Sequence, residues 1–307
     1  MRQLTLSQTS AGRTNRLRHL VSMIVLYAIN LLLVFAFIFP ILFMVSASFK
    51  PSNLVIFSDL QSIRGFLPVG QLTLNNYITV FQQSPFLRFL LNSLGMSAVS
   101  VILGVFLNSM AAFALSRLQW KGQKVALTII IATLIIPFEA IVIPLLLLVN
   151  SLPNLSISSS GIAITQGWFD TYQVQIIPFI TSAFSIFLFY QFFKGIPVEL
   201  DEAALVDGAS YYQIYRHIIM PNSGPVMATV AIFTFLGSWN SFLWPTMVIQ
   251  SESVRPIMIG MNYFFQQQTQ WGVVMAYATL VTLPVLVLFL IFQRAFIGSI
   301  ASSGVKG

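Results

Sequence analysis

Seven of the stretches without Asp, Glu, Lys or Arg restrict this chain more than any other feature. They run 20–49, 89–116, 125–138, 140–169, 171–193, 217–251 and 256–293. A helix crossing about 30 Å of hydrocarbon needs roughly 20 predominantly apolar residues. Trimming polar ends predicts six spanning helices, near 20–46, 89–115, 125–149, 172–193, 225–249 and 272–293. Long continuous apolar runs, rather than alternating segments of about ten residues, exclude a β-barrel. Charged residues make up 7% of the 307, against about 25% in soluble domains. That shortage excludes a cytoplasmic enzyme and a DNA-binding protein, whatever the net charge of +7 suggests. Disorder is excluded as well, because hydrophobicity is high and charge sparse.

The predicted fold class is therefore an all-α membrane protein with six transmembrane helices. Placing the N-terminus in the cytoplasm puts Arg2, Arg13, Arg16, Arg18, Arg117, Lys121, Lys124, Lys194, Arg216, Arg294 and Lys306 inside, and Lys50, Arg64, Arg88 and Arg255 outside. The bias follows the positive-inside rule, so both termini are expected to be cytoplasmic. The organisation read from this is a tail 1–19, a first span 20–49, an extracytoplasmic loop 50–88, a core 89–293 holding a cytoplasmic loop 194–224, and a tail 294–307. The arginine-rich start imitates a signal peptide, and Ser46-Ala47-Ser48 its cleavage site. The apolar stretch is about twice a signal peptide's usual 7–15 residues, so an uncleaved anchor is expected. No internal repeat is evident, which weakens a secondary transporter built from inverted repeats. Cysteine is absent and His19 and His217 lie far apart. Neither a thiolate nor a histidine metal site is expected.

Four of the eight acidic residues, Glu199, Asp201, Glu202 and Asp207, fall within nine positions of the loop 194–224. Local signals predict two short helices there. Pro197 suits a helix start, the acids in the first turn complement the helix dipole, and Gly208 suits a left-handed end. Ser210 and Gln213 form a capping-box pattern for a second helix over 211–219, ended by Pro221.

In this loop Glu202-Ala203-Ala204, three residues, Gly208, nine residues and then Ile218-x-Met220-Pro221 resembles the EAA signature of permease subunits of binding-protein-dependent ABC importers. Met220 stands where the family pattern has Leu, a volume-conserving exchange. The segments 87–123, 135–150 and 235–245 and the terminal Gly-Val-Lys-Gly are similar to carbohydrate permeases of the MalG type. The first 70 residues share little with them.

The resemblance implies a type I ABC importer permease fold in a bacterial or archaeal plasma membrane. The implied partners are a second permease, two ATP-binding cassette subunits and an extracytoplasmic solute-binding protein, with no nucleic acid. It also implies that the loop docks on an ATPase. Glu202, Ala203, Ala204, Asp207, Gly208, Ile218 and Pro221 are then the coupling residues, whereas Glu199 and Asp201 are read as capping their own helix. The chain has no G-x-x-x-x-G-K-[ST] loop, so ATP and Mg belong to partner subunits and no catalytic role is expected.

Along the translocation path Glu139, Trp239 and Asn240 are candidates. Glu139 interrupts the third span between Pro137 and Pro144, about 21 Å along a straight helix from residue 125. It either lines the path or is an interfacial carboxylate. Trp239 and Asn240 offer a stacking face and amide donors, or else pack helices. The resemblance places sugar mainly on the larger partner permease. The Gln-rich loop 266–270, with Tyr263, Phe264 and Phe265, either reaches the binding protein or forms an interfacial belt. The spans lack Lys and Arg, which suits a neutral oligosaccharide, disaccharide or polyol glycoside such as glucosylglycerol. The alternatives are a glycerol-3-phosphate or glycerophosphodiester importer and a proton-coupled carrier using Glu139.

Overall fold

The computed structural model describes residues 5–158, 161–265 and 269–304, with side chains described over 18–154, 164–265 and 269–293. Among the described residues three helices are each long and apolar enough to span a membrane: Arg18–Ser48, Phe86–Ser116 and Trp271–Gln293. Three bent pairs bring the number of candidate spans to six: Gln123–Thr133 with Phe138–Ser151, Tyr172–Phe179 with Ala183–Lys194, and Tyr211–Ile219 with Pro221–Trp239.

The chain divides into two compact units. The first comprises 1–80 and 264–279. Its long helix Thr5–Ser48 is exposed along most of its apolar length. The expected irregular loop after it is built of short helices, Asn53–Asp59, Ile63–Phe66 and Asn75–Gln83, the first two capped by Ser52 and Ser62. Lys50 organises them. Its buried ammonium donates to the Asp59 carboxylate and the Val69 carbonyl, each at 2.7 Å. Asn76 donates to the carbonyls of Ser48 and Lys50, each at 2.8 Å. Asn53 donates to Thr269 O at 2.8 Å and accepts from the Trp271 N–H at 2.9 Å.

The second unit comprises 81–263 and 280–307. The helix Phe86–Ser116 runs through it with two unlike faces. Ser93, Ser97, Ser100, Gly104, Asn108 and Ala112 recur every three or four residues and are buried. Leu87, Leu91, Ile102 and Phe106 are exposed. Small residues let helices approach closely where no water drives them together. One apolar cluster joins this helix to Ala183–Lys194, Tyr211–Ile214 and Gly224–Trp239 through residues such as Phe113, Phe189, Ile214 and Val230. A second joins Phe138–Ser151, Tyr172–Ile176 and Leu243–Val248 through Val149, Val174 and Trp244.

Four features differ from the sequence expectation, one of them the expected fourth helix, 172–193, which breaks at 180–182 and bends by 42°. The expected third helix, 125–149, is interrupted at 134–137 and turns by 104°. Pro137 disfavours helical backbone at Ile136 and supplies no N–H, so the helix restarts after it. Pro144, by contrast, is accommodated within Phe138–Ser151. The straight-helix count that set Glu139 at 21 Å therefore does not hold, and Glu139 lies in the first turn of the restarted helix. The expected fifth helix, 225–249, ends at Trp239 with Asn240 as its C-cap and restarts as Leu243–Val248. Pro245 would clash with the carbonyl four residues earlier in a continuous helix. An antiparallel hairpin, Pro153–Ser158 with Gly161–Gln166, pairing Asn154 with Thr165, follows the third span. The sequence reading placed no strand there.

Candidate functional site

The cytoplasmic loop carries the local structure its residues predict. The helix Glu199–Val206 has Glu199, Asp201 and Glu202 in its first turn. Gly208 follows at φ +82°, a left-handed conformation that glycine adopts without strain. The capping box is complete: the Ser210 N–H donates to Gln213 Oε1 at 2.7 Å, and the Gln213 N–H donates to Ser210 Oγ at 3.4 Å. The second helix, expected over 211–219, is one α-helical turn followed by a π-helical stretch, Tyr215–Ile219. Beyond it the chain bends by 42° and continues as a span from Pro221. A π-turn widens the helix by one residue, and Pro221 needs no N–H partner at a helix start.

Glu202, Ala203, Asp207 and Gly208 are exposed, whereas Ala204 and Ile218 pack against the apolar cluster beneath. Val198, Leu200, Leu205 and Val206 are exposed beside the acids, Val206 at 88%. The loop thus presents the outer face of a short helix with mixed acidic and apolar side chains, its inner face packed on the chain.

Asp201 corrects the reading that it caps its own helix. It is buried, 7% exposed, and its carboxylate lies 3.3 Å from the Arg117 guanidinium. Arg117 also donates to the carbonyls of Phe193 and Ile196, each at 2.7 Å. One guanidinium thereby joins the end of Phe86–Ser116, a carbonyl at the end of Ala183–Lys194 and another just beyond it, and the first turn of the loop helix. Burial pushes the Asp201 carboxyl up, with Glu202 adding to this, and the opposing pull of Arg117 does not cancel it. Tyr215 adds a second anchor through its hydroxyl, 2.8 Å from Ser109 Oγ. Sequence reasoning counted Arg117 only as a cytoplasmic charge. Its position directly after a charge-free run was the available signal.

Farther along Phe86–Ser116 lies a cavity of about 550 Å³. Phe138, Phe179 and Trp244 form one wall, each ring edge-on to the other two at centroid distances of 5.7–6.3 Å. Ser100, Thr181, Ser185, Thr234 and Ser241 contribute hydroxyls, and Gln175 an amide. The Gln175 Nε2 donates to Val254 O at 3.0 Å, and the Trp244 indole to Val174 O at 2.9 Å. Gly237 also lines the space, and a Cβ added there would meet nothing within 4 Å. No ionisable side chain is among the lining residues.

Glu139, Trp239 and Asn240 do not line this cavity, although their neighbours Phe138, Ser238 and Ser241 do. Glu139 and Asn240 are exposed in this chain. Trp239 is buried and stacked on Phe235 at 5.4 Å, and its indole N–H has no partner among the described residues.

At the opposite end of the same helix, Asn92 donates to the carbonyls of Ser253 and Arg255. Asp170 accepts from the N–H groups of Gln250 and Ser251 at 3.0 and 2.9 Å. Partial burial pushes the Asp170 carboxyl up, but those donations and nearby Arg255 outweigh it, and the net direction is down. Tyr263 meets Glu252 and Arg255, and Phe264 is buried beside Tyr277. The remaining Gln-rich stretch, 266–268, lies outside the described residues. Among the described residues no cluster of His, Asp or Glu could hold a metal ion.

Residues 100–301 match the family described as binding-protein-dependent transport system inner membrane component. The chain is 32% identical over 275 residues to the arabinooligosaccharides transport system permease protein AraQ of Halalkalibacterium halodurans, covering 89% of this chain and 92% of that one. It is 30% identical over 281 residues to the lactose transport system permease protein LacG of Rhizobium radiobacter, covering 91% and 95%. In fold it is similar to a chain in the crystal structure of a bacterial ABC transporter involved in the import of the acidic polysaccharide alginate. There the TM-score is 0.73 at 20% identity, covering 92% of this chain and 97% of that one.

Proposed function

From the premise that this chain belongs to the family of binding-protein-dependent transport system inner membrane components, we propose that it is the permease subunit through which an ATP-driven importer moves a neutral carbohydrate. As a multi-pass inner-membrane permease it is a non-catalytic member of its transporter. The substrate is an oligosaccharide, disaccharide or polyol glycoside delivered by a solute-binding protein. The partners are a second permease and two ATPase subunits, which bind ATP and Mg. AraQ and LacG, named for sugar transport, support the carbohydrate class.

The observation that carries the reading is the helix Glu199–Val206, exposed on one face and seated through Asp201 and Ala204 on the other. Closure of two ATPase subunits must reach the spans as a rigid-body motion. Glu202, Ala203, Asp207 and Gly208 face outward for docking, with Ala203 small enough for close approach. Ala204, Ile218 and Pro221 join the helix to the span behind it. Phosphate-bearing substrates fit less well, since a phosphate calls for a cationic partner and the predicted spans contain neither Lys nor Arg.

The chain should co-purify with an ATPase subunit. Reconstituted with its partners, it should take up sugar only when ATP is supplied. A proton-coupled carrier would instead work without an ATPase and fail on Glu139→Gln. Sugar uptake by this chain alone, driven by a proton gradient, would refute the importer reading.

A further inference from the structure

We propose that this chain supplies a carbohydrate subsite of its own, in the cavity walled by Phe138, Phe179 and Trp244 and edged by hydroxyls. The inference rests on the carbohydrate reading above and deepens it, because the family resemblance places the sugar mainly on the partner permease.

Three observations converge. The first is position. Ser100 is the fifteenth of the 31 residues of Phe86–Ser116, about 21 Å from its start, so the cavity sits at mid-length of a spanning helix. A void of about 550 Å³ there has the size of a small-molecule site, about 300–1,000 Å³.

The second is chemistry. The three rings present edges and faces, and Phe179 is 37% exposed. A pyranose or furanose ring has C–H faces that stack on such surfaces and hydroxyl edges that need partners. The hydroxyls of Ser100, Thr181, Ser185, Thr234 and Ser241 donate to no group of the chain among the described residues. The Gln175 amide is held in place through its Nε2, which leaves its oxygen as an acceptor. Thr181 is exposed and Thr234 and Ser241 are half-buried, so their hydroxyls are open to pair with a polar ligand or with water.

The third is charge. No carboxylate, ammonium or guanidinium lines the space. An anionic sugar or a phosphoester would lose its hydration there with no counter-charge in return. A neutral carbohydrate loses only hydrogen bonds, which these hydroxyls replace.

Gly237 makes the test possible. It lies within the helix Gly224–Trp239, on the cavity wall, with open space where a side chain would go. Glycine is the poorest helix former apart from proline, so filling the cavity from this position does not weaken the helix. The complete importer, with its binding protein, is reconstituted in proteoliposomes. ATP-dependent uptake of radiolabelled lactose, trehalose and maltotriose is then measured for wild type, Gly237→Ala, Gly237→Leu and Gly237→Phe, together with ATPase activity stimulated by the binding protein.

We expect a graded loss in which the longest transported sugar is lost first. Gly237→Phe should cut uptake at least ten-fold while stimulated ATP hydrolysis stays within two-fold of wild type. Phe179→Leu, which keeps volume but removes the ring, should change the relative rates of the sugars about five-fold. Uptake that Gly237→Phe leaves within two-fold of wild type overturns the subsite and leaves the importer reading standing. Equal loss for every sugar together with loss of ATP hydrolysis also overturns it, since that marks a packing defect. A wild type that takes up none of these sugars, nor arabinooligosaccharides, nor a labelled polyol glycoside, overturns the carbohydrate reading and the subsite with it.

Discussion

Arg117→Met should uncouple ATP hydrolysis from transport. The guanidinium binds three elements at once: the Asp201 carboxylate at 3.3 Å and the carbonyls of Phe193 and Ile196 at 2.7 Å. Both charged side chains are at least nine-tenths buried. Removing one partner of a buried ion pair costs about 3–5 kcal/mol, because the remaining charge is left in a poorly polarisable place. That favours release of the loop helix from its seat by roughly 150- to 5,000-fold. Asp201→Asn should cost much less, about 1 kcal/mol. The carboxyl is already pushed up by burial against the pull of Arg117, and the amide removes the buried charge while Arg117 keeps both carbonyls. The double variant Arg117→Met with Asp201→Asn should therefore recover part of what Arg117→Met loses. The sequence contains no cysteine, so Val206→Cys, at a position 88% exposed, accepts a single spin label. In lipid nanodiscs its spectrum should be restrained in the wild type and in Asp201→Asn. It should be mobile in Arg117→Met, with stimulated ATP hydrolysis falling in parallel. A spectrum and coupling unchanged by Arg117→Met would show that the ion pair does not seat the helix, and a larger effect from Asp201→Asn would refute the unequal cost of losing its two partners.

Gly208→Ala meets no atom within 4 Å of its new Cβ, so its cost is left-handed backbone strain of about 1–2 kcal/mol. Stimulated ATP hydrolysis should drop several-fold with unchanged assembly, and full activity would count against a rigid turn there. Gly272→Ala places a Cβ 2.6 Å from Asn76 Nδ2, and the displaced amide abandons the Ser48 and Lys50 carbonyls. A destabilisation of about 1–3 kcal/mol should follow in thermal unfolding, and an unshifted midpoint would contradict it. Asp170 has a lowered pKa in the fold. Its stabilisation is thus complete above the unfolded value of about 3.9 and is lost as pH falls through the lower folded value. Amide exchange at Gln250 and Ser251, corrected for intrinsic rates, should accelerate below about pH 3.9 in the wild type. In Asp170→Asn it should lack that step, and a step retained in the variant would assign it elsewhere.

Much of the loop was legible in the residues because its signals are local. The acids of Glu199–Val206, the left-handed Gly208 and the capping box of Ser210 and Gln213 each act within four positions of themselves. Asp201 was misread for the same reason: its partner Arg117 lies 84 residues away, and no local rule joins them. Pro137 accounts for where the expected third helix breaks, but the size of the turn, 104°, depends on what the restarted helix packs against. Sequence reasoning selected the conspicuous side chains Glu139, Trp239 and Asn240, whereas the lining falls to Phe138, Ser238 and Ser241 beside them.

Residue chemistry alone therefore determined that the chain lies in a membrane, where its spans run and which loop stands apart, since hydropathy, charge and capping are properties of short segments. Tertiary structure decided which polar groups share a space. Helix rotation sets which of three adjacent side chains faces a cavity, and that rotation is a product of packing along Phe86–Ser116. The seat of the loop helix and the hydroxyl-edged void are both consequences of that packing.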